Sequence, residues 1–306
     1  MSKKIAFMGT PAISGQILKS LYQNGFDIEV VYTQPPVESN RGHKLNKSPV
    51  HIMSEILNIP VRTPFKLDNS EENKFLQSKN ISLGIVVAYG QILKKDILDI
   101  PKYGWINIHY SLLPKLRGAA PIQRAIMNNE IKTGISIMKM NEGLDTGPIC
   151  NQYSVNILEN ENSEDLGQRL TNLASEKILQ NIDDILENKA SFKDQDHTQS
   201  TYAKKIRKEE GKINWKETSK VIIGKINGLY PTPGVWFEYK GERYKIHKAE
   251  LSISSGKPGY VLSDNLEIGC GEKSIKIIEI QRQGKKVQKT SEFLLGSQIT
   301  KGAYLS

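Results

Sequence analysis

At 306 residues the chain carries about two domains' worth of sequence at ~150 residues each, with ample length for a buried core. Hydrophobic residues make up 38% and charged residues 25%, which excludes disorder and a membrane bundle, and the charge-free stretch at the strongest apolar peak, Ile81 to Leu93, is short of the ~18 residues a spanning helix needs. The net charge of +9 lies wholly in the last third, since residues 204–306 hold 20 basic and 11 acidic side chains while residues 1–203 hold 22 of each; a polyanionic partner and a merely lysine-rich surface both explain it.

The opening Met1 to Gly9 has two lysines but too few apolar residues for a secretory signal. Lys4 to Met8 predicts a strand ending in Gly9-Thr10-Pro11. Ile13, Ile17, Leu18 and Leu21 then recur at helical spacing up to Asn24-Gly25, and the β-branched run Phe26 to Tyr32 completes a βαβ unit. Ser48-Pro49 opens a helix through Leu57, with Ser as N-cap and Pro in the first turn. A short strand at Pro60–Arg62 and a helix at Ser70–Ser78 follow. The continuous apolar run Ile81 to Ala88 is typical of a buried parallel strand. Strands are expected at Gly104–His109, Gly134–Met140 and Ile149–Val155, a helix at Pro121–Met127, and a long amphipathic helix at Ser163–Leu186.

Residues 1–188 therefore read as one α/β domain with a mostly parallel, doubly wound sheet. Lys189 to Lys208 is polar, with Asp194 to Ser200 polar in a row, and reads as a linker. Residues 209–306 change texture: one helix at Thr218–Asn227, then short strands at 235–239, 243–250, 259–262, 266–269 and 274–281 separated by glycine turns. That spacing predicts a small β-barrel or sandwich. Cys150 and Cys270 stand 120 positions apart with no CxxC, so neither a disulfide framework nor a zinc ribbon is written here, and a cytoplasmic enzyme is the default.

The first βα turn lacks GxGxxG, which disfavours a dinucleotide, and neither GxxxxGK[ST] nor HExxH occurs. The informative stretch runs from Gly104 to Pro121. Asn107 and His109 are two apart on a strand, share one face, and lie at the strand's carboxyl end, where open α/β sheets hold ligands. About thirty residues on, Asn141 to Pro148 forms a glycine-rich loop around Asp145. An amide can hold an oxyanion, an imidazole can donate to it or move a proton, and a carboxylate can orient the imidazole. Taken alone, Asn-x-His at a strand end is more often a loop anchor, and Asp in such a loop is usually a turn residue.

The pattern Asn107-x-His109-x-Ser-Leu-Leu-Pro-x-x-Arg-Gly-x-x-Pro121 with Gly143-x-Asp145-Thr-Gly147 resembles the signature of folate-dependent formyltransferases, which use 10-formyltetrahydrofolate. Phe7-Met-Gly-Thr-Pro11, Tyr32-Thr-Gln-Pro35, Arg41-Gly-His-Lys-Leu45, Ser48-Pro-Val50, Val86-Val-Ala-Tyr-Gly90, Gly118-Ala-Ala-Pro-Ile-Gln-Arg124, Tyr202-Ala-x-Lys-Ile206 and Ile213-Asn-Trp215 are similar to the branch that formylates methionine on initiator tRNA. The likeness covers nearly the whole chain and weakens after Pro233. One departure is Tyr110, where the family often has glycine; a positive φ there would strain tyrosine.

The resemblance implies a Rossmann-like formyltransferase domain followed by an OB-like barrel that binds tRNA. It implies Asn107, His109 and Asp145 as catalytic groups, and Ala88, Tyr89, Gly90, Ser111, Leu112, Leu113, Pro114, Asn141 and Gly143 around the folate. Arg41, His43 and Lys44 in a mobile 34–47 loop, and Lys204, Lys205, Arg207 and Lys208 at the domain junction, are the expected tRNA contacts. No metal and no membrane are implied, and a monomer is. A formyltransferase acting on a nucleotide-linked amino sugar would share the triad but not the Arg41 loop or the basic barrel. A nucleic-acid-binding scaffold without turnover would not need the triad at all.

Overall fold

The aliphatic runs of the first half become parallel strands because both of their faces are covered. In the computed structural model, which describes residues 3–39, 44–67, 70–297 and 299–306, β1 (Ile5–Gly9), β6 (Leu83–Val87) and β7 (Trp105–His109) are buried at every position. Between them come α1 (Ala12–Gln23), β2 (Ile28–Tyr32), the short strands β3 (Val37–Ser39) and β4 (Lys44–Asn46), α2 (Pro49–Ile56), β5 (Val61–Arg62), α3 (Ser70–Ser78) and α4 (Lys95–Leu98). Ser48 caps α2 as its N-cap signal predicts, its hydroxyl accepting from the His51 N–H at 3.0 Å. α5 (Pro121–Met127), β8 (Lys132–Lys139), β9 (Ile149–Asn156) and α6 (Ser163–Leu186) follow.

The sheet order is β5-β2-β1-β6-β7-β8-β9, with β5 through β7 parallel and β8 antiparallel to β7. From β1 the chain goes to β2 on one side and later to β6 on the other. The carboxyl ends of β1 and β6 thus mark the switch point at which such sheets open a crevice. The 34–47 stretch, expected as a loop, contains an antiparallel hairpin of β3 and β4. Arg41 and His43 lie outside the described residues.

The chain folds into two compact units. The first takes in the chain to Ala119, Thr133–Val155 and Gly167–Ala203; the second takes in Ala120–Lys132, Asn156–Leu166 and Lys204–Ser306. The polar stretch after residue 188 is held in the first unit as far as Ala203. Lys193 makes a two-way backbone bridge with Ile149, and Arg117 exchanges backbone bonds with Thr201 and Ala203.

In the second unit α7 (Ser219–Gly228) precedes an antiparallel sheet of β10 (Val235–Tyr239), β11 (Glu242–Ser252), β12 (Val261–Ser263), β13 (Glu267–Gly269), β14 (Ser274–Arg282) and β15 (Gln288–Lys289), before α8 (Thr290–Leu294). The last residues join its two edges. Val261 N–H donates to the Ala303 carbonyl and Leu305 N–H to Gly259, while Ser306 exchanges two backbone bonds with Glu238 on β10. The edges that a sheet must hide are satisfied by closure. Leu305 is fully buried among Ile268, Phe237, Trp215 and the rest of this core. Leu305→Ala is expected to cost about 2–5 kcal/mol in denaturant unfolding of the second unit, as for other buried leucines; a cost below ~1 kcal/mol would show that the closing segment contributes little.

Cys150 and Cys270 are both free thiols, and burial pushes Cys270 up to about 11. Among the described residues, no helix is long and apolar enough to cross a membrane.

Candidate active site

Strand β7 places Asn107 and His109 on one face by simple alternation, opposite Met138 and Ser136 of β8. Both are buried. The chain then turns through Tyr110 to Gly118. Tyr110 is not among the residues with positive φ, so it carries no backbone strain. Its ring is buried, its hydroxyl meets Thr171 Oγ1 at 3.2 Å, and desolvation pushes its phenol up to about 12.

Asp145 arrives from the 141–147 loop. Its Oδ1 accepts from Asn107 Nδ2 at 3.2 Å and its Oδ2 accepts from the Gly118 N–H at 2.8 Å. His109 Nδ1 faces the same Oδ2 at 3.6 Å, beyond hydrogen-bond range. The other ring nitrogen, Nε2, lies 2.9 Å from the Leu116 carbonyl, which can only accept, so Nε2 carries a proton and Nδ1 is free to take a second one. Asp145 itself sits at φ +52°, in the left-handed region that Asp and Asn tolerate best.

Two glycines make this approach possible. Gly118 has φ +110°, and a Cβ there would come within 3.0 Å of the Ala203 carbonyl. At Gly147 a Cβ would overlap the Lys139 carbonyl, so only glycine lets the Asp145 loop return against the end of β8.

The other expected positions lie in separate segments of the chain. Ala88 and Gly90 are exposed after β6, whereas the Tyr89 side chain is buried beneath them. The Tyr89 carbonyl accepts from Thr10 Oγ1 and Gln34 Nε2, which ties the β6 turn to the switch point. In the Ser111–Pro114 turn, Ser111 and Leu113 are buried, with the Ser111 hydroxyl donating to the Lys115 carbonyl at 2.6 Å. Ser136 Oγ donates to the Ser111 carbonyl and accepts from Leu113 N–H, so Leu112 and Pro114 present the accessible part of that turn. Asn141 and Gly143 are exposed, and Asn141 Oδ1 accepts from the Gly143 N–H and the Thr146 hydroxyl, shaping the loop as an Asx turn. Lys204, Lys205, Arg207 and Lys208 are all exposed and belong to the second unit; Lys44 begins β4.

Sequence reasoning missed Gln195, which bonds the backbone of the Asp145 loop. Its one signal is an amide in a run of polar residues, indistinguishable there from a linker residue. Among the described residues, no group of three or more His, Cys, Asp or Glu side chains stands together as a metal site.

A mostly parallel sheet with an amide, an imidazole and a carboxylate converging at a strand end is the arrangement of an enzyme site. The formyl transferase family pattern matches residues 3–182, and the formyl transferase C-terminal domain pattern matches residues 205–298. The chain belongs to the formyl transferase family. It is 58% identical, over all of this chain and 99% of the relative, to the methionyl-tRNA formyltransferase of Pelagibacter ubique. It is 41% identical to that of Brucella abortus over 97% of this chain and 99% of the relative. An N-formyltransferase from Helicobacter canadensis, solved with folinic acid and dTDP-3-aminofucose, shares the fold at TM-score 0.68 and 23% identity, covering 92% of this chain and all of that one.

Proposed function

We infer that this chain transfers the formyl group of 10-formyltetrahydrofolate to the α-amino group of methionine esterified to initiator tRNA. The observation that carries this reading is the convergence of Asn107, His109 and Gly118 on Asp145, in a chain 58% identical throughout its length to a methionyl-tRNA formyltransferase.

The acceptor amine supplies the nucleophile. A free α-amine titrates near ~8 and an ester neighbour lowers it further, so it is largely neutral at pH 7. Asn107 Nδ2 donates to the oxygen that gains charge as the amine adds to the formyl carbon, and His109 donates to it once its ring has taken the amine's proton. His109 Nδ1 is the site that takes and returns the mobile proton, because Nε2 is held by the Leu116 carbonyl. Asp145 orients the groups around it and relays the proton, directly or through water. The bond from the formyl carbon to N10 then breaks, and tetrahydrofolate departs with that proton.

The exposed Ala88 and Gly90, the buried Tyr89 between them, and the loop at Asn141 and Gly143 flank the pterin in this reading. Leu112 and Pro114 offer its wall, and Ser111 and Leu113 hold that wall in shape. Arg41, His43 and Lys44 of the 34–47 segment contact the acceptor end and choose the tRNA. The second unit, built largely of residues 209–306, holds the tRNA backbone. The enzyme acts as a monomer in the cytoplasm, unattached to membrane.

Radiolabelled formyl transfer from 10-formyltetrahydrofolate to charged initiator tRNA, with elongator Met-tRNA as control, tests this function. Incorporation no greater than without enzyme would refute it.

The tRNA handle has its own test. Truncation at residue 203 is unsuitable, because residues 120–132 and 156–166 fold with the second unit. Charge removal in the full chain is cleaner. Lys204→Gln, Lys205→Gln and Lys208→Gln together are expected to raise KM for tRNA with kcat for bound substrate retained. The log–log salt slope should flatten by about one unit for each phosphate no longer neutralised. An unchanged KM and salt slope would reduce these lysines to a solvated surface.

A further inference from the structure

Gln195 is 7% exposed and lies far along the chain from the groups discussed above. Its Nε2 donates to the Asp145 carbonyl at 2.9 Å and to the Gly147 carbonyl at 2.8 Å. Its Oε1 accepts from Arg117 Nε at 3.1 Å and Nη2 at 2.6 Å. One amide thereby uses both its protons and both its lone pairs, leaving nothing for solvent. Arg117 is 2% exposed, and its Nη2 also meets His197 Nδ1 at 2.9 Å. Neither of these partners is a carboxylate. A buried guanidinium held this way is costly through desolvation, so the arrangement calls for a reason beyond stability.

The bonds form a closed ring. The Asp145 carboxylate accepts from the Gly118 N–H, the neighbouring residue Arg117 sends its side chain to Gln195, and Gln195 returns to the Asp145 carbonyl. The carbonyls it grips lie on either side of Thr146, at the bend where Asp145 takes its left-handed φ. We propose that Gln195, braced by Arg117, is the positioning residue for Asp145: it sets the direction of that carboxylate toward Asn107 and His109. The proposal rests on the reading of Asn107, His109 and Asp145 as the reaction centre.

The test uses two variants of the full chain. Gln195→Glu keeps an oxygen for Arg117, now as an ion pair, but turns an acceptor toward two carbonyls; Gln195→Ala loses both halves. A displacement of about 1 Å in a reacting constellation costs up to ~10²-fold, so both variants should lower kcat about 10–100-fold with KM for folate and for tRNA within about twofold. An acceptor facing two buried carbonyls lowers stability, so kcat is read below each variant's own melting range. In an Asp145→Asn background, adding Gln195→Glu should multiply the loss by less than about threefold, because a residue acting through Asp145 has nothing left to position. A Gln195→Glu enzyme with kcat within about threefold of the parent, or a full multiplicative loss in the double variant, overturns the proposal. A His109→Ala control separates the two failures. If it is inactive while the Gln195 variants turn over normally, the positioning role alone falls; if it keeps parental kcat, the reaction centre itself has been misassigned and the proposal falls with it.

Discussion

Replacing His109 by alanine should lower kcat by at least ~10²–10³, the loss that accompanies removal of one oxyanion donor, while folate affinity changes by less than about twofold. The ring is buried at the end of β7 and has two different neighbours: the Leu116 carbonyl at Nε2, and Asp145 across 3.6 Å at Nδ1. Alanine removes the nitrogen that takes the mobile proton and that, once protonated, donates to the oxyanion. It also strands the Leu116 carbonyl, a further cost of about 1–3 kcal/mol in stability. The measurement is therefore single-turnover formyl transfer below the variant's own unfolding range, paired with titration of folate. Near-parental kcat in a folded variant would sink the role given to His109.

The second large effect is expected at Asp145→Asn. Asparagine accepts the left-handed backbone at φ +52° nearly as well as aspartate, so the loop should keep its shape. The chemistry does not survive. The two carboxylate oxygens accept from Asn107 Nδ2 and from the Gly118 N–H. Whichever way the new amide turns, its NH₂ faces one of those donors. The carboxylate that relays the proton from His109 is also gone. A fall in kcat of about 10²–10⁴ is expected, combining lost proton transfer with a misdirected amide. Binding of initiator tRNA, read by filter retention, should stay within about twofold, since no group facing a phosphate is altered. A variant with more than a tenth of parental kcat would mean that Asp145 only shapes the loop.

Much of the fold is legible because its signals are local and periodic. The strand at Ile81–Ala88, the Ser48-Pro49 helix start and the long helix at Ser163–Leu186 all fall where apolar spacing and capping residues put them. The hairpin of Val37–Ser39 and Lys44–Asn46 is not legible, because Pro35-Pro36 and the polar residues around Arg41 look like loop and the strands are three residues each. Helices at Lys95–Leu98 and Thr290–Leu294 escape for the same reason: at four and five residues they are too short for a helical period to emerge.

The site divides along the same line. That Asn107 and His109 share a face follows from the two-residue period of a strand, and their place at its carboxyl end follows from where the apolar run stops. The concentration of positive charge after residue 203 is likewise a property of the sequence alone. The tertiary structure decided the rest. It brought Asp145 across 38 positions to Asn107, and Gln195 across 78 positions to Arg117. It closed the second sheet with Gly302–Ser306. Those meetings depend on left-handed residues, glycine crossings and paired backbone groups in segments without any repeat. A sequence shows that such segments are polar, and only the folded chain shows what each polar group has to satisfy.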